Sequence, residues 1–300
     1  MPSAQFFILV SLQRSGTTWF VEEMAKSPCV HAEHEIFSAY QTHADAGRWT
    51  TPGRRAAIDG LMRLAAGTWE KYDGPVPQKL VDFTSHKLHI MNKHNETRAP
   101  IAMGMKWMAG YATGAGNNRR RDALVIRDNQ GLEGALEWLL PLARKKNIKF
   151  VFLERGHLLR RAVSSAHNHL HQLAHARNRE QQKQIGHVPV ELPTGDRLLW
   201  DLDKEQFQLN NLIKIRDRVK AAGVKEKYLR YERLDSNHSL LDEVRGWLLG
   251  DLSRDPRCKT PRDGRTTLKI HTGAVSEHIL NWGAVRDTLY GTKYEKYLDD

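Results

Sequence analysis

The stretch FFILVSLQRSGTTWF, residues 6–20, decides the fold expected of this chain. A run of strand-forming apolar residues leads through a short polar loop, RSGTT, directly into a helical pattern. Gly16 lets the backbone approach a ligand closely, and the first amides of the following helix are free to donate to anionic oxygens. Further donors come from the side chains of Arg14, Ser15, Thr17 and Thr18. The stretch therefore predicts a strand, an anion-binding loop and a helix.

The loop differs from the Walker A motif of nucleoside triphosphatases. That motif requires GxxxxGK[ST], whereas this segment lacks the first Gly and carries Arg14 in place of the Lys. A nucleoside triphosphatase is therefore disfavoured. The simpler alternative is an ordinary strand, turn and capped helix, because Ser and Thr are common N-caps.

Composition favours one large α/β domain with an anionic partner. The 300 residues carry a formal net charge of +11, which suits a nucleotide, a sulfated or phosphorylated acceptor, nucleic acid or an acidic membrane surface. Cys29 and Cys258 lie far apart without metal-ligand spacing, so we expect neither a disulfide nor a zinc site, and a reducing, cytoplasmic location. No apolar run approaches the ~20 residues of a membrane span, so we expect a soluble protein.

Strand-like runs alternate with helical patterns, which predicts an α/β fold with a parallel sheet flanked by helices. The predicted strands cover residues 5–11, 101–107, 124–126, 148–153 and 228–231. The predicted helices cover residues 16–26, 58–72, 132–146, 157–182, 204–222 and 239–249, with two short helices closing the chain. We expect residues 1–300 to form a single domain, with insertions at about 43–80, 110–122 and 172–202 that shape an acceptor pocket.

A second informative segment is KFVFLERGHLLRRAVSSAHN, residues 149–168. Its strand ends at residues 154–155, so Arg155 is predicted at the carboxyl end of a strand, where open α/β sheets bind ligands. Ser164 follows two turns into the next helix, with Ser165 as an adjacent alternative. Arg provides a planar fork for phosphate oxygens and Ser a neutral donor. Arg160 and Arg161 are expected on a solvated helix face.

Together, the RSGTT loop and the Arg155/Ser164 pair resemble sulfotransferases that use 3′-phosphoadenosine 5′-phosphosulfate (PAPS), most of all the bacterial carbohydrate type acting on trehalose glycolipids and nodulation factors. The resemblance implies a P-loop-like sulfotransferase fold. It also implies that the loop holds the phosphosulfate and that Arg155 and Ser164 hold the 3′-phosphate.

Three further parts of the chain extend this resemblance. LRYERL, residues 229–234, implies Tyr231 beside the adenine, the alternative being a buried edge Tyr. Residues 269–298 are similar to the closing segment of several sulfotransferases, which makes Arg265, Lys269 and His271 candidates for the 3′-phosphate. Trp19 is expected either in the core or beside the nucleotide.

The acceptor hydroxyl needs a general base. Cytosolic sulfotransferases use a His on a mid-chain strand, but Met108 of GMKWMAG stands at that position here. The resemblance to carbohydrate sulfotransferases implies instead a Glu after the first helix, and we hypothesise Glu35 of HAEHEIFSAY. The remaining alternatives for the base are Glu33, His34 and His31. Lys106 and Arg14 are expected to stabilise charge on the transferring group.

The predicted function is sulfuryl transfer from PAPS to a hydroxyl or nitrogen of a carbohydrate, glycolipid or small natural product, without a metal cofactor. A P-loop kinase-like phosphotransferase is one alternative. A nucleic-acid-binding protein is the other, through the basic runs 119–121 and 144–146, although no recognition motif accompanies them. The histidines between residues 167 and 175 have helical i, i+4 spacing but no acidic or Cys ligand, so no metal site is expected.

Overall fold

The computed structural model describes residues 5–12, 14–27, 29–35, 58, 59, 62, 102–108, 132–171, 188–236, 239–258 and 273–299. The strands of this part are β1 (Gln5–Ser11), β2 (Val30–Glu35), β3 (Ala102–Met108), β4 (Lys149–Glu154) and β5 (Glu226–Arg230). Its α-helices are α1 (Thr17–Ala25), α2 (Leu132–Lys146), α3 (Leu158–His171), α4 (Gly195–Ala221), α5 (Tyr231–Ser236), α6 (Ser239–Leu249) and α7 (Trp282–Leu289). Short 3₁₀ helices cover Gly250–Arg254, Pro256–Cys258, Val275–His278 and Glu295–Tyr297.

The five strands form one parallel sheet in the order β2-β3-β1-β4-β5. The strand β1 therefore lies at the centre, and the carboxyl ends of all five strands share one edge. The predicted α/β fold with a parallel sheet flanked by helices is confirmed.

Strand β1 is buried on both sides, as its continuous apolar run predicts. Phe7 and Leu9 pack in one cluster with residues of α1 and α6. Phe6, Ile8 and Val10 pack in the other cluster with residues of α2, α3 and α4. Because successive side chains of a strand point to opposite faces, this alternation creates a helix–sheet–helix sandwich with α1 on one face and α3 on the other.

The predicted bounds of β1, α2 and α6 match the structure. The bounds of α1, β3, β4 and β5 differ by one or two residues, and larger differences concern α4 and β2. Helix α4 begins at Gly195 rather than at residue 204, because Leu198 and Leu202 already bury the helix against the core. Pro193 and Gly195 had favoured a loop there, but both lie before or at the first helical position. Strand β2 was not predicted; its Val30 and Ala32 alternate with polar residues and fill the cluster beside α1.

The expectation of unpaired cysteines is wrong: Cys29 and Cys258 form a disulfide, with Cα atoms 5.1 Å apart. Cys29 lies between α1 and β2, and Cys258 ends a short helix that follows α6. The two segments meet because α1 and α6 pack on the same face of the sheet. The Ser27 hydroxyl donates to the Cys258 carbonyl at 2.9 Å and supports the junction. Disulfides are rare in reducing compartments, so the pairing disfavours the predicted cytoplasmic location.

Several predictions fall outside the described residues. These are the strand at 124–126, most of the helix at 58–72, the distal part of the helix at 157–182 and the insertions at 43–80 and 110–122. Within the described ranges, no helix combines the length and apolar character needed to cross a membrane.

Candidate anion-binding site

The predicted anion-binding residues lie at the carboxyl edge of the sheet, where β1 and β4 are neighbours. From β1 the chain enters α1 on one face, and from β4 it enters α3 on the opposite face. The two connections therefore diverge toward opposite faces of the sheet. In open α/β sheets, this divergence is the usual position of a ligand.

The loop between β1 and α1 enters left-handed backbone space at two residues, one on each side of Ser15. Arg14 has a φ of 62° and Gly16 a φ of 74°. A positive φ is uncommon for a residue with a side chain, and such conformations concentrate at ligand-binding loops. The loop delivers the chain into α1 with the amides of Thr17 and Thr18 at the first helical positions, where they have no intrahelical acceptor.

Ser15 contributes a buried donor to this loop. Its side chain is 1% exposed, and its Oγ has no hydrogen-bond partner among the described residues. A buried hydroxyl without a partner is costly, and it is expected where a ligand or water supplies the missing contact. Helix α1 has no acidic residue in its first turn, so its positive end is not neutralised there.

The ring of Tyr231 occupies the space beside Gly16. A Cβ atom at position 16 would lie 2.1 Å from Cε2 of Tyr231. A close approach to the backbone of Gly16 was predicted for a ligand, whereas in the structure the Tyr231 side chain approaches it. Tyr231 is the first residue of α5 rather than a strand residue, and its ring contacts Trp19 edge-on with centroids 6.0 Å apart. Trp19 is partly exposed and therefore lies at the margin of the core.

Arg155 joins the two connections. Its Nη1 donates to the main-chain carbonyl of Arg14 at 3.2 Å, and its guanidinium lies 5.1 Å from the centroid of the Tyr231 ring. The side chain is 8% exposed, and burial lowers the pKa of Arg155. No carboxylate of the described residues forms an ion pair with Arg155. Glu232 attracts the guanidinium electrostatically without a direct ion pair. A buried cation that forms no direct ion pair favours a site for an anion.

Ser164 lies in α3, two turns from its start, and is partly exposed. The structure thus places Ser164 on the helix that follows Arg155 but provides no direct contact between the two side chains.

The expected solvated face at Arg160 and Arg161 is wrong. Arg161 is 3% exposed and pairs with Glu205 of α4. Arg160 is partly exposed, and its Nη2 donates to the Gly273 carbonyl at 2.7 Å. Both arginines attach α3 to neighbouring elements, because this amphipathic helix is covered by α4 and by the C-terminal segment.

The proposed catalytic residues lie on the adjacent strands at the same edge. Lys106 lies inside β3 and is 5% exposed, so it is a buried lysine rather than a solvated one at the end of the strand. Glu35 is the last residue of β2, and its register partner is Lys106. An irregularity between Glu33 and Glu35 leaves His34 without a register partner, so that Glu35 rather than His34 is opposite Lys106, while Glu33 is opposite Met105. Such bulges change which residue occupies a given position of the sheet.

The remaining predicted residues lie outside the described ranges: Arg265, Lys269, His271 and the His175 end of the histidine series. Within the described ranges, no group of three or more His, Cys, Asp or Glu side chains is arranged to hold a metal ion. The absence of a metal cofactor stays a prediction.

Sequence reasoning missed His157, which caps α3. Its Nδ1 accepts from the Arg160 amide at 3.3 Å, and its own amide donates to Glu232 Oε1 at 3.1 Å. The available signal was its position directly before the helical pattern, although Ser, Thr, Asp and Asn are the usual caps.

We compared the chain with known proteins. Neither a scan against models of protein families nor a search of curated proteins finds a match.

Proposed function

We propose that the chain is a PAPS-dependent sulfotransferase. The observation that carries this proposal is Arg155, a buried guanidinium that forms no direct ion pair with a carboxylate of the described residues and lies against the β1–α1 loop at the carboxyl edge. The site combines this cation with the uncapped start of α1 and the Ser15 hydroxyl. These groups are all donors, which suits a ligand with several anionic oxygens.

PAPS carries two anionic groups on one ribose, a phosphosulfate at the 5′ position and a phosphate at the 3′ position. The loop 14–18 would hold the 5′-phosphosulfate through main-chain amides and hydroxyls. Arg155, with Ser164 on the following helix, would hold the 3′-phosphate. The rings of Trp19 and Tyr231 would contact the purine, since both rings lie beside the loop.

Transfer is proposed to be direct and in line. The acceptor oxygen or nitrogen forms a bond to sulfur while the bond from sulfur to the bridging phosphate oxygen breaks, and adenosine 3′,5′-bisphosphate departs. Glu35 takes the acceptor proton, while Lys106 and Arg14 stabilise negative charge on the sulfuryl group and the leaving phosphate. The β2–β3 register favours Glu35 over Glu33, because Glu35 lies beside the buried Lys106.

The acceptor is proposed to be a carbohydrate, a glycolipid or a small natural product. The segments at 43–80, 110–122 and 172–202 are proposed to form its pocket around a single domain. Of these, the structure describes Ile58, Asp59, Met62 and residues 188–202, and residues 195–202 are the first turns of α4.

The first test is calorimetric titration of the purified protein with adenosine 3′,5′-bisphosphate and, separately, with ATP and Mg²⁺. We expect tight binding of the bisphosphate and little binding of ATP. Arg155→Ala should weaken bisphosphate binding at least about tenfold, which corresponds to the loss of one charge-assisted contact. The matched control is Arg230→Ala, an exposed arginine at the end of the neighbouring strand, which should bind as the wild type does. Absence of bisphosphate binding, or preference for ATP, would overturn the proposal.

The base is tested separately with Glu35→Gln and Glu33→Gln. Both variants should retain bisphosphate affinity, while only Glu35→Gln should reduce turnover, by about 10²-fold or more. Equal turnover of Glu35→Gln and wild type would remove Glu35 as the base without affecting the donor site.

A further inference from the structure

Residue His157, in the connection between β4 and α3, contacts three parts of the fold: α5, the start of α3 and the C-terminal segment. The His157 amide donates to Glu232 Oε1 at 3.1 Å. Its Nδ1 accepts from the Arg160 amide at 3.3 Å, which caps the start of α3. Its ring lies 5.0 Å from the ring of Tyr297, with the planes tilted by 34°. His157 thus touches the β5–α5 junction, its own helix and the C-terminal segment.

The contact with Glu232 fixes two site residues relative to each other. Glu232 directly follows Tyr231, and His157 follows Arg155 by two residues. The Arg155 guanidinium and the Tyr231 ring are in contact, and Tyr231 in turn packs against Gly16. A shift of the 155–157 connection away from the β5–α5 junction would therefore separate Arg155 from the ring and from the carbonyl of Arg14.

The contact with Tyr297 extends this arrangement to the C-terminus. Tyr297 is 8% exposed and belongs to the same cluster as the first residues of α3. The segment 273–299 is fixed at further points: the Tyr294 hydroxyl donates to Asp203 at 2.5 Å, and Gly273 accepts from Arg160. The Tyr297 ring is thus a fixed support against which the His157 ring rests.

We propose that His157 is a positioning residue that couples the packing of the C-terminal segment to the anion-binding site. Through its ring it rests on Tyr297, through Nδ1 it caps α3, and through its amide it ties the connection to Glu232. The effect is to hold Arg155 against the β1–α1 loop. The identity of the bound anion rests on the proposed function, but the coupling itself does not.

The test uses substitutions on both sides of the ring contact. Tyr297→Leu removes the support without changing the 155–160 connection, and Tyr297→Phe keeps the ring. His157→Ala removes cap and ring together, whereas His157→Asn retains a capping acceptor and loses the ring. Tyr290→Leu is the matched control, because Tyr290 belongs to the same C-terminal segment and is 74% exposed.

The first readout is amide hydrogen exchange in the ligand-free proteins. We expect Tyr297→Leu and His157→Ala to raise exchange several-fold in peptides covering residues 14–20 and 155–161, while peptides from β3 and α6 keep the wild-type rates. Tyr297→Phe and Tyr290→Leu should leave both regions unchanged, and His157→Asn should lie between. Unchanged exchange at residues 14–20, or a uniform rise across the chain, would overturn the coupling.

The second readout is affinity for adenosine 3′,5′-bisphosphate. Tyr297→Leu should weaken binding roughly five- to tenfold, whereas Tyr297→Phe should bind as the wild type does. Wild-type affinity in Tyr297→Leu would also contradict the coupling. If the wild-type protein itself fails to bind the bisphosphate, the proposed function fails, and the exchange data still decide whether His157 couples the two regions.

Discussion

Removing the Cys29–Cys258 disulfide should destabilise the protein by a large and calculable amount. The bridge joins positions separated by 229 residues. In the chain-entropy treatment, a closed loop of this length removes about 18 cal/mol/K from the unfolded ensemble, or about 5 kcal/mol at 25 °C. Unfolding entropy is about 2.1 cal/mol/K per residue, so 300 residues give about 0.6 kcal/mol/K. The expected decrease in Tm is therefore about 8 °C.

The assay is thermal unfolding of the wild type and of the double variant Cys29→Ser/Cys258→Ser, each with and without reductant. The wild type should lose about 8 °C on reduction, whereas the double variant should melt at the reduced temperature in both buffers. Thiol titration of the denatured, unreduced wild type should detect no free thiol. Two free thiols together with a Tm insensitive to reductant would refute the pairing. A pairing confirmed by thiol titration but with no change in Tm would refute the entropic reasoning.

Three further predictions concern single residues. Gly16→Ala places a Cβ atom 2.1 Å from the Tyr231 ring at a residue with a positive φ, so it should abolish bisphosphate binding and lower the free energy of unfolding. The loss of stability should exceed that of Gly223→Ala, because Gly223 has a φ of 69° but open space around its Cβ position. Equal losses in urea unfolding would contradict the steric explanation. Burial and the nearby Lys225 lower the pKa of Lys149 to about 8. The unfolded chain therefore binds more protons between about pH 8 and 10.5, so stability should rise with pH across that window and the rise should shrink in Lys149→Met, as measured by urea unfolding. Burial raises the pKa of Glu154, whose Oε2 has no partner among the described residues. The folded carboxyl group thus resists ionisation, so the stability that Glu154 contributes should fall as the pH rises above the pKa of Glu154 in the unfolded chain. Glu154→Gln should therefore be more stable than the wild type at pH 8 but not at pH 4. The opposite trend would show that burial of Glu154 does not cause the pH dependence.

The sequence predicted most accurately the elements whose pattern is local. The apolar run of β1 and the 3.6-residue periodicity of α2 and α6 each contain enough information to set the bounds. Arg155 was likewise predictable, because a residue after a buried parallel strand must lie at the carboxyl edge. Strand β2 escaped because its alternating Val30 and Ala32 are only two apolar residues among histidines and glutamates, and their burial depends on α1.

The parts that the sequence did not predict depend on contacts between distant segments. The disulfide joins segments that approach each other only after α1 and α6 have packed on one face. Arg161 has the character of a surface residue until Glu205 of α4 is placed opposite it. Tyr231 occupies the space above Gly16 because β5 ends beside β4, and no local pattern encodes that neighbour.

The structure supports an anion at this edge more strongly than the sequence motif does, because several groups at the edge destabilise the folded protein when no ligand is bound. Burying a guanidinium costs several kcal/mol unless an anion compensates. Among the described residues, Arg155 contacts one carbonyl and one aromatic ring directly, and Glu232 attracts it without a direct ion pair. Ser15 adds a buried hydroxyl that has no partner among the described residues. Arg14 adds a φ of 62°, an uncommon conformation for a residue with a side chain. Each of these costs would be avoidable by a conservative change, such as a shorter side chain or a more regular turn. These free-energy costs occur together at one edge of the sheet, which is best explained if a bound, multiply charged anion compensates for all of them.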